Sequence, residues 1–262
     1  GVERWKVKLA EHGLGASISA APLVIGDKVI VGFGGGDYGI RGFIDALSVK
    51  DGSRIWRFYT VPGPGQFGHD TWTGDSWKRG GGGTWLTGSF DPGLKLLYWG
   101  VGNPGPDHQG DDRKGDNLFT NSVVALDPDS GVLKWHFQFT PGDERDWASN
   151  QVPVLVDTEV DGRQRKVMLW ANRNGFFYVL ARATGEFLRG APFARQNWAT
   201  GLDRNGRPVV IRDVLPDRSG KITYPSPMGA TNWWSPSFSV RTGLLYVSAL
   251  EWGQIVYKDA KP

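Results

Sequence analysis

Apolar residues along this chain alternate with polar ones in short runs punctuated by glycine, the pattern of half-buried β-strands joined by tight turns. No stretch of useful length keeps a 3.6-residue period, so the expected class is all-β. Two hairpin types recur. The first runs from Ala46 to Trp56 and again from Ala125 to Trp135, matching in an Ala-Leu pair, in a turn glycine (Gly52, Gly131) and in the closing Trp. A degraded copy runs from Val179 through Gly185 to Arg189. Each predicts a strand, a polar turn whose glycine takes positive φ, and a second strand. The second type covers Ser89–Trp99 and Ser237–Val247, with Ala21–Val31, and Val152–Leu155 with Lys166–Trp170, in the same slot.

Two hairpins in series make a four-stranded unit. Such units are expected over 17–58, 86–138 and 149–189, followed by half of a fourth at 234–257, with the last strand of an earlier one at 3–7. Repeating four-stranded units predict a β-propeller, each blade burying its faces against its neighbours; a sandwich of stacked sheets is the alternative. Propellers close into rings of about 4–8 blades, and about three and a half blades leave two open ends. Residues 1–262 therefore read as one partial propeller domain, its missing blades absent or supplied by a complementary chain. The first residues, without Met or a signal-peptide pattern, suggest an internal piece of something longer.

Composition narrows the function classes. Glycine, at 38 of 262 residues, is about twice the usual ~7%, which fits a turn-rich but folded chain. The absence of cysteine excludes a disulfide scaffold, a thiolate metal site, a cysteine nucleophile and covalent c-type haem attachment on this stretch. A formal net charge of +3, with the charges interspersed, gives no nucleic-acid footprint. Apolar runs such as Lys28–Phe33 fall far below the ~20 residues of a spanning helix, so no membrane span is expected.

In an up-and-down blade, the links from second to third strand and the links between blades emerge on one face. The out-of-place residues fall there. Asp37, Asn103 and Arg173 follow the second strands of successive units. The inter-blade links hold Gly80–Gly83 with Thr84 and Trp85, then Asp143–Trp147 with Asp146, then Asn232, Trp233 and Trp234. Asp and Asn oxygens suit Ca²⁺, Arg offers planar paired donors for carboxylate or quinone oxygens, and a Trp beside a glycine run presents an unobstructed stacking face. Each residue also has an ordinary reading: Asp37 and Asn103 as turn residues, Asp146 as a surface charge, the tryptophans as packing. The glycine run lacks the Lys-Ser/Thr of a phosphate loop, and the segment Asp107–Asn117 lacks EF-hand spacing and is expected to be a solvated loop. Histidines 12, 69, 108 and 136 show no ligand spacing and are expected to be structural or exposed.

Seven segments, Gly36–Phe43, Thr71–Lys78, Gly82–Trp85, Gly100–Pro104, Thr140–Trp147, Asn172–Tyr178 and Asn232–Pro236, resemble in order and spacing the quinoprotein alcohol and methanol dehydrogenases. The resemblance implies an eight-bladed periplasmic propeller that uses pyrroloquinoline quinone and oxidises an alcohol, passing electrons to a cytochrome c. It implies Asp37 and Asn103 as metal ligands, normally of Ca²⁺, and Asp146 as general base. It further implies Trp85, Thr84, Arg173, Asn232, Trp233 and Gly36 as cofactor contacts. Hydride would pass to the quinone C5 carbonyl polarised by the cation. Asp37 stands where the family commonly has Glu, and Ala148 stands where lanthanide-using members carry Asp, which favours Ca²⁺. Segments supplying the other wall of the cofactor would precede Gly1, so the isolated chain is expected to bind the quinone poorly and turn over little. Alternative readings are a protein-binding propeller scaffold and a sugar or polyol dehydrogenase on the same frame.

Overall fold

The computed structural model describes residues 1–11, 13 and 15–257. His12 lies outside them. Three four-stranded antiparallel sheets form the body of the molecule. The first comprises β1 (Leu23–Ile25), β2 (Lys28–Gly32), β3 (Phe43–Ser48) and β4 (Arg54–Tyr59), paired in chain order. The second comprises β5 (Ser89–Asp91), β6 (Leu96–Gly100), β7 (Ser122–Leu126) and β8 (Leu133–Gln138). The third comprises β9 (Val154–Val160), β10 (Arg163–Ala171), β11 (Phe176–Ala181) and β12 (Phe187–Pro192). These are the expected blades, with the repeat visible even in the register. Ala46 pairs with Trp56, Ala125 with Trp135 and Val179 with Arg189, and each pair is followed by a bulge at the same position.

The turn glycines join blade to blade. Gly52, Gly131 and Gly185 have φ of 73°, 70° and 77°, a region open to glycine at little steric cost. A Cβ at any of the three would lie 2.6 Å from an indole of the preceding blade or segment: Trp5 over Gly52, Trp56 over Gly131, Trp135 over Gly185. The Trp56 indole N–H donates to Pro128 O at 3.0 Å and that of Trp5 to Val49 O at 2.9 Å. Apolar residues of facing sheets fill the space between blades: Ile30, Ile44 and Trp56 pack with Leu97, Trp99 and Val124, and Tyr98, Val123 and Trp135 pack with Met168, Trp170 and Tyr178.

One expectation is corrected. Residues 3–7 form no strand, because no neighbouring strand lies beside them among the described residues; only Trp5 docks as the repeat requires. The region 234–257 carries the expected half blade as a single two-stranded hairpin. This hairpin, β16 (Ser237–Ser239) with β17 (Leu244–Tyr246), stands as a separate sheet, while β18 (Gln254–Val256) pairs back to β15 (Lys221–Thr223). Between blade three and this region lies a further hairpin, β13 (Ala199–Leu202) with β14 (Pro208–Val210). No helix is long and apolar enough to cross a membrane among the described residues.

Candidate active site

The face that carries the second-to-third-strand loops and the inter-blade links is stitched together by backbone hydrogen bonds. The segment Gly80–Thr84, in the link from β4 to β5, runs between the β2–β3 loop and the β6–β7 loop. Gly42 N–H donates to Gly81 O at 2.8 Å, Gly82 N–H to Asn103 O at 2.9 Å, Gly102 N–H to Gly83 O at 2.7 Å and Thr84 N–H to Phe33 O at 2.6 Å. A Cβ at Gly81 would lie 2.7 Å from Gly105 N and 2.8 Å from Asn103 O, so only glycine lets these chains approach. Asn150 adds a third loop, its amide donating to Gly83 O and Gly100 O, both at 3.1 Å.

The woven loops surround a cavity of ≈ 140 Å³ lined by Gly35, Gly36, Asp37, Gly83, Trp85, Asn103, Asp146, Ala148 and Arg173. Six predicted site residues, Gly36, Asp37, Trp85, Asn103, Asp146 and Arg173, meet there although they span 138 positions of sequence, from 36 to 173. A larger cleft of ≈ 920 Å³ beside Tyr38, Ile40 and Arg41 holds none of them.

Asp37 sits in a single 3₁₀ turn, Gly36–Tyr38, bounded by left-handed Gly35 and Gly39. Its Oδ1 is 3.5 Å from the Asn103 amide nitrogen. Asn103 is buried and lies on the β6–β7 loop, which the stitched backbone fixes. Asp146 has φ of 60°, a left-handed conformation Asp tolerates better than most residues. Its loop is held from beneath by Asp143, whose two carboxylate oxygens accept from Arg145 N–H at 2.9 Å and Trp147 N–H at 2.7 Å. Arg173 is buried, and its Nη2 lies 3.8 Å from Asp146 Oδ2.

Electrostatics set these groups apart. Burial pushes the Asp146 carboxyl up to about 7, against the opposing pull of Arg173 and with a further push from Asp107, Asp143 and Asp37. Burial, then Asp37 beside it, pushes Asp107 up to about 6. Burial also lowers the Arg173 guanidinium from its ordinary value, and its Nε has no hydrogen-bond partner. An orphaned, buried guanidinium N–H beside a carboxylate that holds its proton to near neutrality is unusual for a structural ion pair.

Three predicted contacts lie elsewhere. The Thr84 hydroxyl is fully buried and engaged by the backbone, accepting from Phe33 N–H and donating to Phe43 O, each at 2.7 Å. The Asn232 amide donates to Met228 O at 2.7 Å, and Trp233 is exposed. Their turn still packs on Arg173, since Ala230 N–H donates to Arg173 O at 2.8 Å. Trp147, next to the base, is fully buried and packs on Trp198, with its indole N–H on Ser226 O at 3.0 Å.

The segment Asp107–Asn117 is solvated as expected at Asp111, Asp112 and Lys114, but a buried side chain ties it to the molecule. Arg113 is 2% exposed at its centre, donating to Pro106 O at 2.9 Å, Asp143 O at 2.6 Å and Asn117 Oδ1 at 3.0 Å. The sequence reading missed Arg113, Asp107 and Asp143; a lone Arg among carboxylates in a long loop is the signal that was available. His69, His108 and His136 take structural or exposed places: His136 is half-buried against Phe119, and its ring is lowered by burial.

Residues 4–191 match the family model of the PQQ glucose/ethanol/alcohol dehydrogenase β-propeller domain. The chain belongs to that family. It is 42% identical over 93% of its length to quinohemoprotein alcohol dehydrogenase ADH IIB of Pseudomonas putida, covering 37% of that protein. The crystal structure of the quinohemoprotein alcohol dehydrogenase of Comamonas testosteroni superposes with a TM-score of 0.90 at 40% identity, covering 94% of this chain and 39% of that one. A europium-containing methanol dehydrogenase superposes with a TM-score of 0.87 at 37% identity, over 94% of this chain and 46% of that one. The chain thus spans less than half the length of these relatives and forms part of a PQQ-family propeller.

Proposed function

We propose that this chain forms part of a longer quinoprotein that oxidises an alcohol at the cavity between Asp37, Trp85, Asn103, Asp146 and Arg173. The observation that carries the reading is the pairing of a carboxyl raised to about 7, Asp146, with a buried Arg173 whose Nε lacks a partner, in one cavity with two oxygen-bearing side chains.

The residues suit a flat anionic cofactor and a hard cation. Arg173 Nε is a donor awaiting an acceptor, and the glycines at 35, 36 and 83 leave the wall beside Trp85 free of side chains. Among the described residues no three His, Cys, Asp or Glu side chains converge as a metal cluster. Asp37 and Asn103 would therefore hold a cation through mixed oxygen donors. Ca²⁺ takes about 6–8 oxygens, so the rest of its shell would come from a bound ligand. When bound, pyrroloquinoline quinone supplies the two-electron acceptor and the cation supplies Lewis acidity.

The chain's own residues do the rest. Asp146, ionised, takes the proton of the substrate hydroxyl, and its raised affinity for that proton makes it a better base than an exposed Asp at neutral pH. Arg173 offers planar donors to cofactor oxygens and, 3.8 Å from Asp146, steadies its ionised form. Trp85 offers a ring face for stacking. Thr84 contributes by fixing the backbone under Trp85, not by its hydroxyl. A protein-binding scaffold has no use for this convergence, which favours the enzymatic reading. A cytochrome electron acceptor and a periplasmic location belong to the same proposal, through the family alone.

The test is reconstitution of the full-length protein, wild type and Asp146→Asn, with quinone and Ca²⁺, assayed with a small alcohol and an artificial acceptor. Turnover in the wild type and a loss of at least ~10²-fold in the variant are expected. An equally active variant removes Asp146 from the mechanism.

A further inference from the structure

Asn103 is held from two sides. Its Nδ2 donates to Asp107 Oδ1 at 2.8 Å and lies 3.5 Å from Asp37 Oδ1. An amide has one donor end and one acceptor end, and a carboxylate only accepts. The amide group must therefore face the carboxylates, because the opposite orientation would set its oxygen against two acceptors. Among the described residues no protein donor reaches Asn103 Oδ1, so the oxygen is the end of the amide that remains for a ligand of this cavity.

Asp107 is itself built into place. The buried Arg113 guanidinium donates to Asp107 O at 3.3 Å, to Pro106 O at 2.9 Å and, across the loops, to Asp143 O at 2.6 Å. One side chain thus ties the loop carrying Asp107 to the loop whose Asp143 supports Asp146.

We propose that Asp107 is a positioning residue, whose carboxylate locks the Asn103 amide with Oδ1 presented to the cation. The proposal rests on the reading of Asp37 and Asn103 as cation ligands. Asp107 touches neither substrate nor cofactor and acts only through Asn103. Without an acceptor at 107, the amide retains only the longer contact to Asp37 and a 3.4 Å contact to Pro104 O, and it loses its preferred orientation.

The experiment is a titration of the full-length protein with Tb³⁺, read by tryptophan-sensitised luminescence and by competition with Ca²⁺. Asp107→Asn keeps an acceptor oxygen and loses the charge, while Asp107→Leu loses both, so the ratio between them isolates the acceptor. Cation affinity at least about tenfold weaker in Asp107→Leu than in Asp107→Asn is expected. In an Asn103→Ala background that ratio is expected to collapse to about one. Equal losses in the two variants, no loss in either, or an unchanged ratio in that background would overturn the proposal. Should the leucine variant fail to fold, hydrogen exchange of the Asn103 side-chain amide in the wild type decides: slow exchange of one Nδ2 proton is expected, and free exchange overturns it. Asp37→Ala separates the two levels, since undiminished Tb³⁺ binding in that variant places the cation elsewhere and removes the underlying reading.

Discussion

Arg173 Nη2 lies 3.8 Å from Asp146 Oδ2, too far for a strong hydrogen bond, while its Nε has no partner. The guanidinium is instead anchored to the backbone of the 226–230 turn, donating to Pro227 O. An Arg that is buried but spends only part of its donor capacity on protein groups is poised to serve a ligand. Arg173→Lys keeps the charge and loses the fork. We expect the full-length protein carrying this change to fold, and to bind the quinone at least about tenfold more weakly, as read by equilibrium dialysis.

The raised Asp146 carboxyl sets a pH dependence whose sign is fixed. With a value of about 7 in the fold against the ordinary 3.8, the folded chain holds a proton that the unfolded chain has released. Its contribution to stability is therefore present at acid pH and lost as pH rises through about 7. Thermal midpoints of the cation-free chain are expected to fall between about pH 5 and pH 8, with a shallower fall in Asp146→Asn. Carboxyl carbon NMR reads the same titration directly, and a midpoint near the ordinary Asp value would contradict it.

The blades were legible in the sequence because their signals are local: a period of two, a turn glycine and a closing Trp recur at the same offsets, and the register repeats with them. Convergence of Asp37, Asn103, Asp146 and Arg173 was legible because topology puts alternate loops on one face. What escaped is contact within long loops. Nothing local in Asp107–Asn117 shows that Arg113 is buried and bonded to Asp143, a residue 30 positions away. Thr84 misled for the opposite reason. Its neighbours Gly83 and Trp85 line the cavity, while its own hydroxyl turns inward to the backbone of Phe33 and Phe43.

Ala148 is buried and lines the cavity two residues after Asp146. A carboxylate there would join Asp37 as an anionic donor and favour a cation of higher charge. In Ala148→Asp, the ratio of lanthanide to Ca²⁺ affinity is expected to rise at least about tenfold. Competition titration reads that ratio, and an unchanged value would show that residue 148 does not face the cation.

Two blade-closing tryptophans, Trp56 and Trp135, occupy equivalent places but differ in whether the indole N–H has a partner. The Trp56 indole N–H donates to Pro128 O at 3.0 Å, whereas that of Trp135 is buried with no partner. Both rings lie over a turn glycine, Gly131 and Gly185 respectively, so their packing is comparable. Trp56→Phe therefore loses a hydrogen bond and leaves a carbonyl unserved, at about 1–3 kcal/mol beyond the lost ring area. Trp135→Phe deletes a donor that already lacks an acceptor, which offsets part of the same loss of area. Denaturant unfolding of the two variants is expected to show Trp56→Phe as the more destabilised, by about 1 kcal/mol or more. Equal losses would mean that the indole N–H of Trp135 finds a partner of comparable strength in solution.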